Sequence, residues 1–337
     1  MTLTRFRISV LASVALLALV SAGQAADAPD ASKTQNGWAR GKTIRFFVGG
    51  DAGDTFASVV YRGALQAEKD MGVKVEYVFS GWSIEKMVAQ FREAVAAKPD
   101  GIAMMGHAGD AALMPIAQQA HDAGIKLMWQ NADVPKIRAK LGGGYVGVLD
   151  LHQQGVDLAK EAIRTLNLPA RSTAIIYGAF GEPGREQREQ GVADGFGAGG
   201  FKTVCIKALP AWAADPSLAS ASVTAAILAN PEVSVICFPG GQLLGAAPNY
   251  LRAANKQPGQ IKVIGFDLSP EVIRAFKLGY VQLTSDQQPF LQGYLPVLSL
   301  CQQIQFDLSP LVVDTGKGFV NRENYDKVAR LAQLGVR

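Results

Sequence analysis

Histidine and cysteine are nearly missing from this 337-residue chain, which has three of each. His107, His121 and His152 stand apart, with no H-x-x-x-H spacing to bring two imidazoles onto one metal, so no metal site is expected. Cys205, Cys237 and Cys301 are an odd set, and the first two fall in apolar strand-like runs; buried free thiols are expected rather than a disulfide framework. The glycine fingerprints of nucleotide chemistry are also absent. Gly49-Gly50-Asp51-Ala52-Gly53 and the 240–245 segment each follow a strand-like run, but neither has G-x-G-x-x-G spacing or a G-K-[ST] ending. No G-x-S-x-G nucleophile turn occurs either. These gaps argue against an enzyme and imply no cofactor. Charge of one sign is lacking too: 33 basic residues face 29 acidic ones, which leaves no electrostatic footprint for nucleic acid.

Long hydrophobic runs are missing except at the N-terminus, and that one is too short to span a bilayer, which takes about 20 residues. Arg5 and Arg7 precede an apolar-rich stretch over 8–20, followed by Ser21-Ala22-Gly23-Gln24-Ala25 with small residues at the −3 and −1 positions. This tripartite pattern reads as a secretory signal peptide over 1–25, cut after Ala25, and predicts a periplasmic protein. The remaining chain exceeds the size at which one hydrophobic core stops growing, so two lobes are expected.

What the sequence does contain is alternation. Strand-like runs over 43–48, 73–79, 101–105, 126–130 and 145–148 are separated by helical patterns over 56–71, from Ser83 onward, and over 111–123. The pattern restarts near Asp150, with strands over 173–177, 203–208, 233–238, 262–266 and 281–284 between further helices, the last over 290–306. Repeated β-α-β units predict an α/β protein with two doubly wound parallel sheets. A faint echo, Ala97-Lys98-Pro99-Asp100 against Ala229-Asn230-Pro231-Glu232, launches one strand in each block.

In open α/β sheets, ligands bind beyond the carboxyl ends of the strands. In the first block those ends carry Asp51 and Asp54, Trp82, His107 and Asp110, and then Asn131. In the second they carry Glu182, Arg185 and Arg188, Trp212, Gln242, Asp267 and Gln287. Acids, amides and arginine suit a neutral polyhydroxylated ligand, because each hydroxyl both donates and accepts. Phe56, Trp82 and Trp212 are candidate platforms for an apolar C–H face. Asp54 and Asp110 also suit helix N-caps, whereas Ser269 already supplies a cap after Asp267.

Several of these stretches resemble the ribose-binding group of periplasmic sugar-binding proteins of ABC transporters. The likeness is carried by 49–56, by Lys98-Pro99-Asp100-Gly101-Ile102 with Gly106-His107-Ala108-Gly109-Asp110, by Val263-Ile264-Gly265-Phe266-Asp267, and by 283–290. The resemblance implies the type I periplasmic binding fold, with a hinge of three segments. It implies an N-terminal lobe of 42–148 plus 286–312 and a C-terminal lobe of 149–285 plus 313–337. It also implies a monomer that captures a monosaccharide or sugar alcohol and hands it to permease subunits. A receptor for a small furanosyl signal such as autoinducer-2 is the alternative. The ligand-binding set under this resemblance is Asp54, Phe56, Trp82, His107, Asn131, Arg185, Arg188, Trp212, Asp267 and Gln287. Asn131-Ala132 and Pro239-Gly240 stand where ribose binders carry Asp-Arg and an asparagine, which argues against ribose itself.

Overall fold

A computed structural model describes residues 37–182 and 186–337; the expected signal peptide and Arg185 lie outside the described residues. The chain runs β1 (Thr43–Gly49), α1 (Thr55–Met71), β2 (Lys74–Phe79), α2 (Ile84–Ala96), β3 (Gly101–Met105), α3 (Gly109–Asp122), β4 (Lys126–Asn131), α4 (Pro135–Leu141) and β5 (Gly144–Gly147). A second series follows: α5 (Leu151–Thr165), β6 (Thr173–Gly178), α6 (Gln187–Ala198), β7 (Lys202–Lys207), α7 (Ala211–Ala214), α8 (Ser220–Ala229), β8 (Val233–Phe238), α9 (Gly241–Ala253), β9 (Lys262–Phe266), α10 (Pro270–Lys277) and β10 (Leu283–Asp286). The last elements are α11 (Pro289–Phe306), β11 (Val312–Asp314), β12 (Gly318–Asn321) and α12 (Tyr325–Gln333).

Two six-stranded sheets result, ordered β11-β5-β4-β3-β1-β2 and β12-β10-β9-β8-β6-β7. All pairings are parallel except β10 with β12. Both faces of each sheet are covered, which is why the strands read as continuous apolar runs. Phe46 and Met105 point into one core cluster while Phe47 and Met104 point into another. In the second lobe Tyr177 and Phe238 face one cluster, and Ile176 and Cys237 the other. The chain passes between the sheets three times: from β5 to α5, from β10 to α11, and from β11 to β12.

Some local expectations needed correction. Asp110 does not cap its own helix; it lies inside α3, and its Oδ1 accepts from the Ile137 amide at the start of α4, 2.8 Å away. Cys205 is exposed because β7 is an edge strand, whereas Cys237 and Cys301 are buried, and burial raises the thiol pKa of both. Strand β10 lies two residues later than the apolar pattern suggested, since Ser285 and Asp286 are polar yet both pair with β12, and Ser285 with β9 as well. No helix among the described residues is long and apolar enough to cross a membrane.

Candidate ligand-binding cleft

Each sheet reverses its strand order once, between β1 and β3 in the first and between β6 and β8 in the second. Such switch points leave a crevice where the flanking helices part. The two crevices face one another and enclose a cavity of about 220 Å³. That is smaller than the roughly 300–1,000 Å³ of sites for drug-sized ligands, and it suits one ring.

Asp54, Phe56, Trp82, His107 and Asn131 line it from the first lobe, Arg188 and Asp267 line it from the second, and Gln287 lines it from the crossing between β10 and α11. Asp54 is the N-cap of α1: its Oδ1 accepts from the Ala57 amide at 2.7 Å. Its Oδ2 accepts from Trp82 Nε1 and from Gln242 Nε2, each at 3.1 Å. The second of these bonds crosses the cleft from α9. Phe56 and His107 flank the Trp82 indole, with ring centroids 5.9 and 5.6 Å from it.

On the opposite wall the Arg188 guanidinium lies 4.0 Å from the centre of the Phe266 ring, donates to the Pro239 carbonyl, and pairs with Glu189 at 3.2 Å. These three contacts hold its planar fork in place. Asp267 directly follows β9 in the left-handed region, φ 70°, and is 8% exposed. Burial pushes its carboxyl above the ordinary range, opposed first by the charge of Arg188 and then by the hydrogen bond from Gln287. Gln287 Nε2 donates to Asp267 Oδ1 at 2.7 Å, leaving Oδ2 without a hydrogen-bond donor among the described residues.

Trp212 is not on the cavity wall. It is 7% exposed and turns into the core against Tyr177, ring centroids 6.3 Å apart, while its neighbours Leu209, Pro210 and Ala213 face the cavity. An isolated Trp in a polar-looking loop gave no periodicity from which to read that burial, because α7 is a single turn. Glu182, Glu189 and Gln242 also line the cavity. The first and third were legible as strand-end residues, and Glu189 only as the neighbour of Arg188. The described lining residues include no serine, threonine, cysteine or lysine nucleophile. No group of three potential metal ligands occurs among the described residues.

Comparisons with known proteins agree with this geometry. Residues 45–307 match the periplasmic binding protein domain. The xylose/arabinose-binding protein XylF of Sulfolobus acidocaldarius is 28% identical over 252 residues, 71% of this chain and 60% of that protein. The D-ribose/D-allose-binding protein of Pseudomonas aeruginosa is 27% identical over 207 residues, 60% of each chain. The matched segment therefore spans about 60% of the length of these curated relatives. Among solved structures, a carbohydrate transporter from Acidothermus cellulolyticus in complex with myo-inositol has a TM-score of 0.75 at 24% identity, covering 88% of this chain and 99% of that one. An ABC transporter solute-binding protein from Burkholderia graminis in complex with D-arabinose has a TM-score of 0.73 at 25% identity, covering 85% and 97%. With two doubly wound lobes around one cleft and a family match over most of its length, this chain belongs to the periplasmic binding protein domain family.

Proposed function

We propose that this protein is the solute-binding component of an ABC importer, capturing one monosaccharide or sugar alcohol in the interlobe cavity and delivering it to a membrane permease. The observation that carries the reading is the chemistry of the cavity. Acceptors from both lobes (Asp54 and Asn131; Asp267) and one fixed guanidinium, Arg188, converge beside the Phe56–Trp82 aromatic wall. Hydroxyls satisfy such groups, and the C–H face of a ring packs on the indole. The sugar ligands of XylF and of the Burkholderia protein point the same way. The proposed contact set is Asp54, Phe56, Trp82, His107, Asn131, Arg188, Asp267 and Gln287; Trp212 is left out because it faces the core. We read the protein as a monomeric binder rather than an enzyme, exported by cleavage after Ala25. No particular observation favours the furanosyl-signal alternative.

Thermal unfolding with D-arabinose, D-xylose, D-ribose, D-fucose and myo-inositol tests the reading. A ligand at 100 times its Kd stabilises the folded state by about 2.7 kcal/mol, so a true ligand raises the midpoint visibly. A midpoint unmoved by every pentose, hexose and polyol at millimolar concentration sinks it. Recovery from an osmotic-shock fraction with Ala26 as the first residue tests the location.

A further inference from the structure

Between the cavity and the hinge lies an amide network whose central residue, Gln292, is not part of the cavity lining. Gln292, on α11, is completely buried. Its Nε2 donates to the Gln287 backbone carbonyl at 2.9 Å and to Thr315 Oγ1 at 3.1 Å, with the Gln287 side-chain oxygen 3.4 Å away. Its Oε1 accepts from Asn131 Nδ2 at 3.0 Å. The orientation of each amide follows from the one before it. A backbone carbonyl can only accept, so the Gln292 end facing it must be the NH₂ group. The other end is then an oxygen, and Asn131 must turn its own NH₂ group toward it. Asn131 Nδ2 also lies 3.5 Å from Gln287 Oε1, so both possible acceptors lie on the hinge side. Asn131 Oδ1 remains without a hydrogen-bond donor among the described residues, on a side chain that lines the cavity. The backbone of Asn131 is held as well: it sits at φ 63°, and its carbonyl accepts from the Tyr145 hydroxyl at 2.8 Å.

Resting on the sugar-binding reading above, we infer that Gln292 is a specificity-determining positioning residue: it makes Asn131 present an acceptor to the ligand, so the cleft selects a ring hydroxyl that donates there. Gln292 never touches the ligand. Through Gln287 the same network reaches Asp267 Oδ1 on the other lobe, so both lobes offer acceptors, Asn131 Oδ1 and Asp267 Oδ2, toward one ring. Through Thr315, whose amide donates to the Gly147 carbonyl, it joins two further chain crossings. A ligand lacking that donating hydroxyl leaves Asn131 Oδ1 desolvated and unpaired.

The test uses whichever of D-arabinose, D-xylose and D-ribose binds best, with its monodeoxy and monodeoxyfluoro forms. Fluorine accepts weakly and cannot donate. At the ring position facing Asn131, both substitutions are expected to weaken binding to the natural chain by about tenfold. In Gln292→Met, Asn131 keeps only the long 3.5 Å contact to Gln287 Oε1 on the hinge side and can turn its NH₂ group inward, so the fluoro penalty at that one position is expected to fall to within about twofold, while positions facing Asp267 keep theirs. Gln292→Glu keeps an oxygen opposite Asn131 and, with its other oxygen protonated to donate to the Gln287 carbonyl, is expected to retain the natural pattern. An unchanged fluoro pattern in a folded Gln292→Met, or a natural chain that tolerates fluorine at every position, overturns the inference while the sugar reading stands. If none of the three sugars nor any other sugar or polyol binds the natural chain, both fall together. Should Gln292→Met fail to fold, the fluoro scan on the natural chain still decides.

Discussion

Asp267 combines a left-handed backbone with a carboxylate that is 8% exposed, and its two oxygens have different work. Oδ1 accepts from Gln287, so Oδ2, which has no donor among the described residues, is the oxygen offered to a ligand hydroxyl. One charge-assisted bond contributes about 1.5–3 kcal/mol, so Asp267→Ala is expected to weaken sugar binding by about 10- to 100-fold by calorimetry. Binding within threefold of the natural chain by a folded variant would remove Asp267 from the contact set. The raised pKa has an opposite consequence for the empty protein. A carboxyl whose folded pKa lies above its unfolded value of about 3.9 favours the fold when protonated, and that contribution is lost as pH rises through the folded value. Asp267→Asn cannot ionise, so it is expected to stabilise the ligand-free protein at pH 7 and to lose that advantage as pH falls toward 4. Urea midpoints of both proteins across this range check the sign. Trp212 behaves differently from a ligand platform: packed on Tyr177, its replacement by Ala is expected to cost about 3–5 kcal/mol of stability. A Trp212→Ala variant that unfolds like the natural chain but loses affinity would show the side chain turned toward the cleft instead.

At the scale of elements, the helices that present the cleft residues are set by close backbone contacts. A side chain at Gly293 of α11 would run into the Val60 carbonyl of α1, and one at Gly63 of α1 would meet the Phe290 carbonyl. The second lobe repeats the device, with Gly155 of α5 against the Arg188 carbonyl and Gly191 of α6 against that of His152. Only glycine allows two helices to approach this closely, and α1 and α6 carry Asp54, Phe56 and Arg188. Gly293→Ala is expected to destabilise by about 1–3 kcal/mol and to displace the N-terminus of α1, weakening ligand binding as well. Urea unfolding and calorimetry on one preparation test both effects; unchanged stability would mean that α1 and α11 part without cost. The sequence shows α1 and α11 as helical segments, and the family resemblance implies that both belong to one lobe, but their direct pairing is not legible because they are more than 200 residues apart. Helices α4 and α12 and strands β11 and β12 are not legible in it either. The first is seven residues long, and the strands are three and four residues that depend on β5 and β10 for partners.

For the whole molecule, the Gln242–Asp54 bond is a direct tie between the lobes, and the residues that form it stand between the inner cavity and an outer hollow lined by Asp51, Trp82, Pro216 and Glu271. Hinged lobes sample open and closed arrangements, and a bond to a charged acceptor shifts that equilibrium toward closure. Gln242→Ala is expected to enlarge the radius of gyration of the ligand-free protein in small-angle scattering and to raise the ligand dissociation rate about tenfold. Identical scattering together with an unchanged dissociation rate would leave the bond no part in closure.

Strand and helix identity rests on short-range information. Apolar period, Gly and Pro punctuation and caps such as Ser83 and Ser269 act within a few residues, so the amino-acid sequence by itself determines the two α/β series and the strand-end positions. The echo before Asp100 and Glu232 falls at matching places, since β3 and β8 each lie beside the first strand of their sheet. The family match and the two-sheet architecture agree with that reading. Which way each side chain faces was decided only by the tertiary structure. Trp212 turned inward because Tyr177 lies beneath it, Gln242 gained Asp54 because the lobes meet, and Gln292 acquired its role because two chain crossings, at Gln287 and Thr315, meet at its buried amide. Those contacts join residues up to about 190 positions apart, and no local pattern encodes them because their free energy exists only when distant surfaces are brought together.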